Sequence, residues 1–421
     1  MQYDVAFGRR GRGLSVPLAA TALCFALILM GGVCAGLLSP GWEGSWTEQV
    51  VRTQVHVVDR FFPFDSFWYQ RIADDAYAWD PRQAQLKQDV AFFPLWPVVL
   101  RLVASVAPSA ALARWGDVAA AAVFAFASIW AFHRLASRFL PPRVAGAATW
   151  LFALYPGASF LLLSYPTGLM NLLCVLALLA VLERRFWAAA CCAGLVTASG
   201  PLGLGTAMSV WVCASLDEGA RLREAGASAR RLAAAALRLA ALGVTAISGL
   251  GAFLLWQEIK FGDAFAFMEA QQAWAVPPGW LARLPRALGQ CLIVPDFGWG
   301  IAYAVHALHA KTLVGMQAGL EMSVNDVALG VALSMFLVSL RVAPRPVVLQ
   351  AGFTLALFVA FHSAVRPGNS TLRLTYCVLT TFFGLAWILR ERPRLTRCVF
   401  ALFALMLATA AFLSAAGYHV T

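Results

Sequence analysis

Apolar stretches of roughly twenty residues recur along the whole chain, parted by short arginine clusters. A helix of that length crosses a hydrocarbon core of about 30 Å, and its backbone must satisfy its own polar groups there. Only 13% of the 421 residues are charged, against about 25% in soluble domains. The mean hydropathy of +0.72 agrees with that deficit. The bilayer is therefore the solvent for this fold, and the chain reads as an all-α polytopic integral membrane protein. The net charge of +11 does not indicate nucleic-acid binding, because the arginines sit mainly between apolar runs, where they anchor topology and meet anionic lipid.

Arg9, Arg10 and Arg12 precede an apolar run from Leu14 to about Leu38. No A-x-A cleavage site is obvious, so the run reads as an uncleaved anchor with a cytoplasmic N-terminus. Residues 39–90 follow as a first large extracytoplasmic loop. Further apolar segments lie near 90–107, 116–132, 144–165, 168–182, 188–214 and 233–256. The first of these carries Arg101, Pro94 and Pro97, and Ser199 to Gly205 interrupt 188–214 with glycine and proline. The arginine-rich stretch from Asp217 reads as a cytoplasmic interfacial helix. Residues 257–310 form a second large outer loop, and 311–421 carry spans near 326–340, 347–365, 374–389 and 398–415. If 90–107 and 188–214 each cross once, the total is about eleven spans; if both re-enter, it is nine. The nine-span reading distributes arginine better, and both put the two large loops outside. The division expected is a core over 1–256, the second loop over 257–310 and C-terminal helices over 311–421.

The nine cysteines form no CxxC pair and no zinc spacing, and His306 and His309 lack a third ligand. No cofactor or metal is expected. Lysine occurs only at Lys87, Lys260 and Lys311 in an alanine- and arginine-rich chain, a composition that suggests a high-GC bacterium and its inner membrane. Breaks at Pro94, Pro97, Pro156, Pro166 and Pro201 all fall in the first half, unlike the paired breaks of inverted-repeat transporters.

The stretch from Phe61 to Pro97 departs from this pattern. It sets Asp65, Asp74, Asp75, Asp80 and Asp89 among Trp68, Tyr69, Tyr77, Trp79, Phe92, Phe93 and Trp96. Carboxylates between rings at a membrane surface suit a reaction site, with Asp65 the candidate general base. The plainer alternative is that Asp65 caps a helix beginning at Ser66. Tyr69, Ile72, Ala73, Ala76 and Tyr77 share the packed side of that helix, leaving Arg71, Asp74 and Asp75 solvated.

FDSFWYQRIADDAY followed by AFFPLWP resembles the first outer loop of the PIG-V-like mannosyltransferases, a branch of the GT-C membrane glycosyltransferases. That loop reads approximately WD-x-x-W/H-[YF]-x-x-IA-x-x-GY, then AFFPLYP. FGDAFAFMEAQQAW, from Phe261, resembles the family's G-D-P-L-A-F-x-x-A-Q-x-x-W. The stretch from Asn369 to Ala386 resembles its S-x-x-R-Y-x-x-x-x-F-P-x-F. The resemblance implies a GT-C-type fold of about eleven helices and inverting transfer of mannose, or a related sugar, from a polyprenyl-phosphate donor to a lipid or glycan hydroxyl. It implies Asp65 as catalytic base, with Trp68, Tyr69, Tyr77, Gln271, Trp274 and Arg373 contacting substrate and Arg373 near the donor phosphate. Without the resemblance, Trp274 reads as an interfacial anchor and Arg373 as a snorkelling side chain. Two departures stand out. Thr167 occupies the glutamate of the family's Y-T-E-S, and Gly200 the arginine of its T-R-P. Their loss keeps a second class open, a non-catalytic GT-C scaffold serving a membrane protein partner.

Overall fold

The first helix, α1 (Ser15–Leu38), buries a stripe of small residues against the last, α16 (Pro393–Ala415). A Cβ added to Gly31 would lie 2.7 Å from the backbone nitrogen of Phe412. Such close approach of backbones through small side chains is how helices associate in lipid. The computed structural model describes residues 14–38, 57–226, 228–274, 313–363 and 370–416; among these the chain is helical and contains no strand.

The remaining helices follow in order. They are α2 (Ser66–Asp75), α3 (Leu95–Val106), α4 (Ala110–Ala136), α5 (Pro142–Leu154) and α6 (Thr167–Leu182). Next come α7 (Phe186–Thr197), α8 (Gly203–Ala225), α9 (Ala229–Ala246), α10 (Ser248–Phe261) and α11 (Ala266–Ala270). After the second loop follow α12 (Leu313–Ser339), α13 (Arg345–Leu357), α14 (Thr371–Leu374) and α15 (Thr380–Leu389). Among the described residues α1, α4 and α16 are each long and apolar enough to cross a membrane. Two bent pairs raise that to five if each is one span: α9 with α10, bent by 65°, and 371–377 with α15, bent by 85°.

The core is aromatic. Phe132 of α4 stacks on Phe152 of α5 at 4.3 Å and on Phe383 of α15 at 4.8 Å, with Tyr376 tilted against Phe152 at 4.7 Å. This cluster ties the first half of the chain to its C-terminal third. The Tyr376 hydroxyl donates to the Phe152 carbonyl at 2.7 Å, which satisfies its polar tip.

Three expectations need correction or refinement. The 188–214 segment is a hairpin of α7 and α8. Its open end lies where Arg184 pairs with Asp217, and its tip lies where the Ala198 carbonyl accepts from Leu95 N–H at 3.0 Å. Secondly, α3 has 12 residues, about 18 Å of helix, which alone falls short of a hydrocarbon core. Thirdly, the arginine-rich stretch from Asp217 is not one interfacial helix. It divides into the end of α8 and the start of α9 around Gly226, whose φ is +78°, and Glu218 pairs with Arg238 across the two at 3.1 Å. Positive φ, which glycine adopts freely, ends the helix there and redirects the chain.

Ala76 ends α2 with φ +64° and ψ −175°, a region that L side chains rarely adopt and glycine tolerates. The family pattern has glycine here. Ala76→Gly is therefore expected to stabilise the protein by about 1 kcal/mol, read as a higher unfolding temperature in detergent. A lower one would mean that the Ala76 methyl contributes more through packing than its backbone costs.

Candidate functional site

Asp65 stands at the N-terminus of α2, the position of a capping residue, but its backbone is already helical and its side chain makes no capping bond. The capping alternative therefore does not describe this carboxylate. Its Oδ2 instead accepts from Arg373 Nη1 at 2.9 Å, across 308 residues of sequence. The pair joins the first-loop motif to the C-terminal one. Both side chains are largely enclosed, Asp65 at 23% exposure and Arg373 at 16%.

Tyr165 builds the floor. Its hydroxyl accepts from Asp65 N–H at 3.0 Å and donates to the Pro63 carbonyl at 3.1 Å, clasping the turn that presents the carboxylate. Its ring lies 5.1 Å from the Arg373 guanidinium, and Phe160 lies 5.5 Å from it. Cation–π attraction thus holds Arg373 against this pair of rings, leaving N–H groups beyond Nη1 for anions. Phe64, at φ +50°, precedes Asp65, and Ser370, at φ +57°, opens the helix that carries Arg373. Left-handed backbone at non-glycine residues persists only where the surroundings impose it, and it gathers at functional sites.

The other candidates occupy a continuous aromatic wall. Trp68 stacks on Phe92 at 5.9 Å, and Tyr69 meets Phe92 edge-on at 5.2 Å and Tyr165 at 6.0 Å. Burial holds the Tyr69 hydroxyl protonated, well above its ordinary range. Tyr77 turns away from the ion pair. Its hydroxyl donates to the Phe92 carbonyl at 2.9 Å and its ring packs against Trp256 at 5.0 Å. Gln271 is also committed elsewhere, since its amide donates to the Ala91 carbonyl at 3.1 Å and so docks the start of the second loop on the AFFPLWP segment. Trp274 closes the short turn Gln271–Trp274, and its side chain lies outside the described residues, as do His306, His309 and Cys291. The sequence alone picks out Asp65 and Arg373 but not Tyr165 as their clasp. The one signal for it was Tyr165's place at the head of the segment where the family's glutamate is missing.

Behind α2 a second polar layer fixes the loop. Gln70 donates to Asp117 Oδ2 at 2.7 Å, Arg114 pairs with Asp59 and lies 4.8 Å over the Phe62 ring, and Arg60 donates to the Ala415 carbonyl at 2.9 Å. Asp89 is 1% exposed; it accepts from Ala78 N–H at 2.9 Å and lies 3.7 Å from Arg71. Burial raises its carboxyl above the usual range despite both contacts. Among the described residues no group of three acidic, histidine or cysteine side chains is placed to hold a metal.

No family model matches the chain, and no curated protein matches it. Among solved structures, the crystal structure of the Archaeoglobus fulgidus oligosaccharyltransferase complex with Zn and sulfate is similar with a TM-score of 0.45 and 16% identity, over 96% of this chain and 53% of that one. The apo form of the same enzyme gives 0.41 and 14%, over 94% and 56%. Archaeal oligosaccharyltransferase AglB from that organism, with an inhibitory peptide and a dolichol-phosphate, gives 0.40 and 15%, over 94% and 56%. The present chain spans about half the length of these structures.

The clasp makes a sharp expectation. Tyr165→Phe keeps the ring over Arg373 and removes only the hydroxyl. If the site is catalytic, turnover should fall roughly ten-fold, as for the loss of one or two kcal/mol of positioning, with little change in donor KM. An altered KM at unchanged turnover would place Tyr165 in donor binding instead.

Proposed function

We propose that the chain is a membrane glycosyltransferase of GT-C type, moving mannose or a related sugar from a polyprenyl-phosphate donor to a lipid or glycan hydroxyl on the outer side. The observation that carries this reading is the Asp65–Arg373 pair, which brings the carboxylate of one family-like motif against the guanidinium of another. Asp65 takes the acceptor proton as the acceptor oxygen attacks the anomeric carbon. The bond from that carbon to the donor phosphate breaks, inverting the centre, and Arg373 holds the departing phosphate through charge-assisted hydrogen bonds. Trp68 and Tyr69 form the wall against which the sugar packs, and Gln271 and Tyr77 hold the two loops together.

The test is transfer in membranes. Full-length protein supplied with radiolabelled polyprenyl-phosphate mannose and native lipid extract should yield labelled product that is absent from membranes without it. A second reading is supported by Thr167 and Gly200, where the family's charged groups are missing: a scaffold subunit without catalysis of its own. Folded protein that transfers no sugar and co-purifies with a second membrane protein would favour the scaffold.

A further inference from the structure

We propose that Asp65 and the donor phosphate compete for Arg373, so that the base is released by donor binding and is masked without it. The proposal rests on the reading of Arg373 as the donor-phosphate contact. Three observations carry it. The Asp65 carboxylate has Arg373 as its one hydrogen-bond partner among the described residues, since it makes no capping bond and its backbone N–H is held separately by Tyr165. A carboxylate oxygen held by a guanidinium at 2.9 Å is already occupied on that side, and an acceptor hydroxyl must compete with Arg373 to reach it.

The second observation is on the arginine's side. Of the five N–H donors of a guanidinium, Arg373 uses one, that of Nη1 to Asp65; no other protein acceptor meets it among the described residues. The Phe160 and Tyr165 rings lie 5.5 and 5.1 Å from its central carbon and 5.0 Å from one another, so both pack on one side of it. What remains is a planar edge of unfilled donors, the geometry that takes a phosphate bidentately.

The third is charge. A phosphate on that edge sets two anions against one cation in an enclosed site, where the interaction is weakly screened. The carboxylate and the phosphate must then weaken one another's hold on Arg373. By linkage, whatever the phosphate does to the Asp65 contact, Asp65 does equally to phosphate binding. Donor arrival thus frees Asp65 to act as base in the complex where an anomeric carbon is present, and pairing quiets it at other times. Transfer to water or to an unintended hydroxyl is disfavoured by the same exchange.

Sugar-free polyprenyl phosphate is the probe, titrated by tryptophan fluorescence against purified full-length protein in phosphatidylcholine nanodiscs. Asp65→Asn should bind it at least about five-fold more tightly than wild type, the lower end of ordinary coupling between sites, and Asp65→Ser should do the same. Arg373→Gln should bind it more weakly than wild type. Unfolding curves serve as the control that each variant is folded. Equal or weaker binding by both Asp65 variants, with Arg373→Gln impaired, overturns the competition and leaves the phosphate contact standing. Unimpaired binding by Arg373→Gln, or no binding by any of the proteins, overturns both. An equal gain with phosphatidylglycerol in place of polyprenyl phosphate also overturns it, because the pair would then answer any anionic lipid.

Discussion

Asp65→Asn is expected to lower sugar transfer by about 10²- to 10⁴-fold, the usual worth of a positioned general base. Asparagine matches the aspartate in shape, keeps the backbone N–H that Tyr165 accepts from, and retains an oxygen for Arg373 Nη1. It removes the charge and the capacity to take a proton. The fold should survive, because the buried cation keeps its contacts with the Tyr165 and Phe160 rings. The measurement is the initial transfer rate per unit of folded protein. Asp65→Glu is the companion variant: it retains a base on a longer stem and should recover part of the rate. An Asp65→Asn rate within about ten-fold of wild type would exclude Asp65 as the base, since no positioned base is worth so little.

The second large effect is structural. Gly205, near the start of α8, lies against α13 so closely that an added Cβ would meet Thr354 Oγ1 at 2.3 Å and its backbone nitrogen at 2.8 Å. A hydroxyl can rotate, but a helix backbone must translate. Gly205→Leu is therefore expected to destabilise the protein by about 3 kcal/mol, the upper part of the usual overpacking range. The consequence reaches the site, since Gln350 of α13 donates to the Cys377 carbonyl at 3.2 Å, four residues beyond Arg373. Loss of α13 register should thus weaken phosphate binding along with stability. Gly251→Ala, where a Cβ meets nothing within 4 Å, is the matched control and should leave both unchanged. Equal unfolding temperatures for the two variants would show that α8 and α13 can separate without cost.

Much of the first loop was legible because its pattern is local. Apolar residues at helical spacing placed Tyr69, Ile72 and Ala73 inward and Arg71, Asp74 and Asp75 outward, and α2 is built that way, but Ala76, expected on the same packed side, is exposed just past the helix end. Gly226 was a visible stop that went unread, because the arginine-rich pattern runs through it without a change in composition. The Asp65–Arg373 pair was out of reach for another reason. Both residues stood out singly, but no local periodicity records which of 32 basic side chains meets a given carboxylate 308 residues away. Gln271 shows the reverse difficulty. An amide in a family-like motif invites a ligand, yet here it holds the Ala91 carbonyl, a need that appears only once the two loops are side by side.

Thr167 and Gly200, the two positions where the resembled pattern carries a charged group, differ in their surroundings. Thr167 is 3% exposed, and a Cβ on the neighbouring Gly168 would meet the backbone of α4 at 3.1 Å. A carboxylate placed there would arrive in a closed interior and need new partners at once. At Gly200 a Cβ would meet nothing within 4 Å. The two positions thus differ in room: at one a charged side chain would force its packed neighbours to move, while the other accepts a new Cβ with no repacking around it.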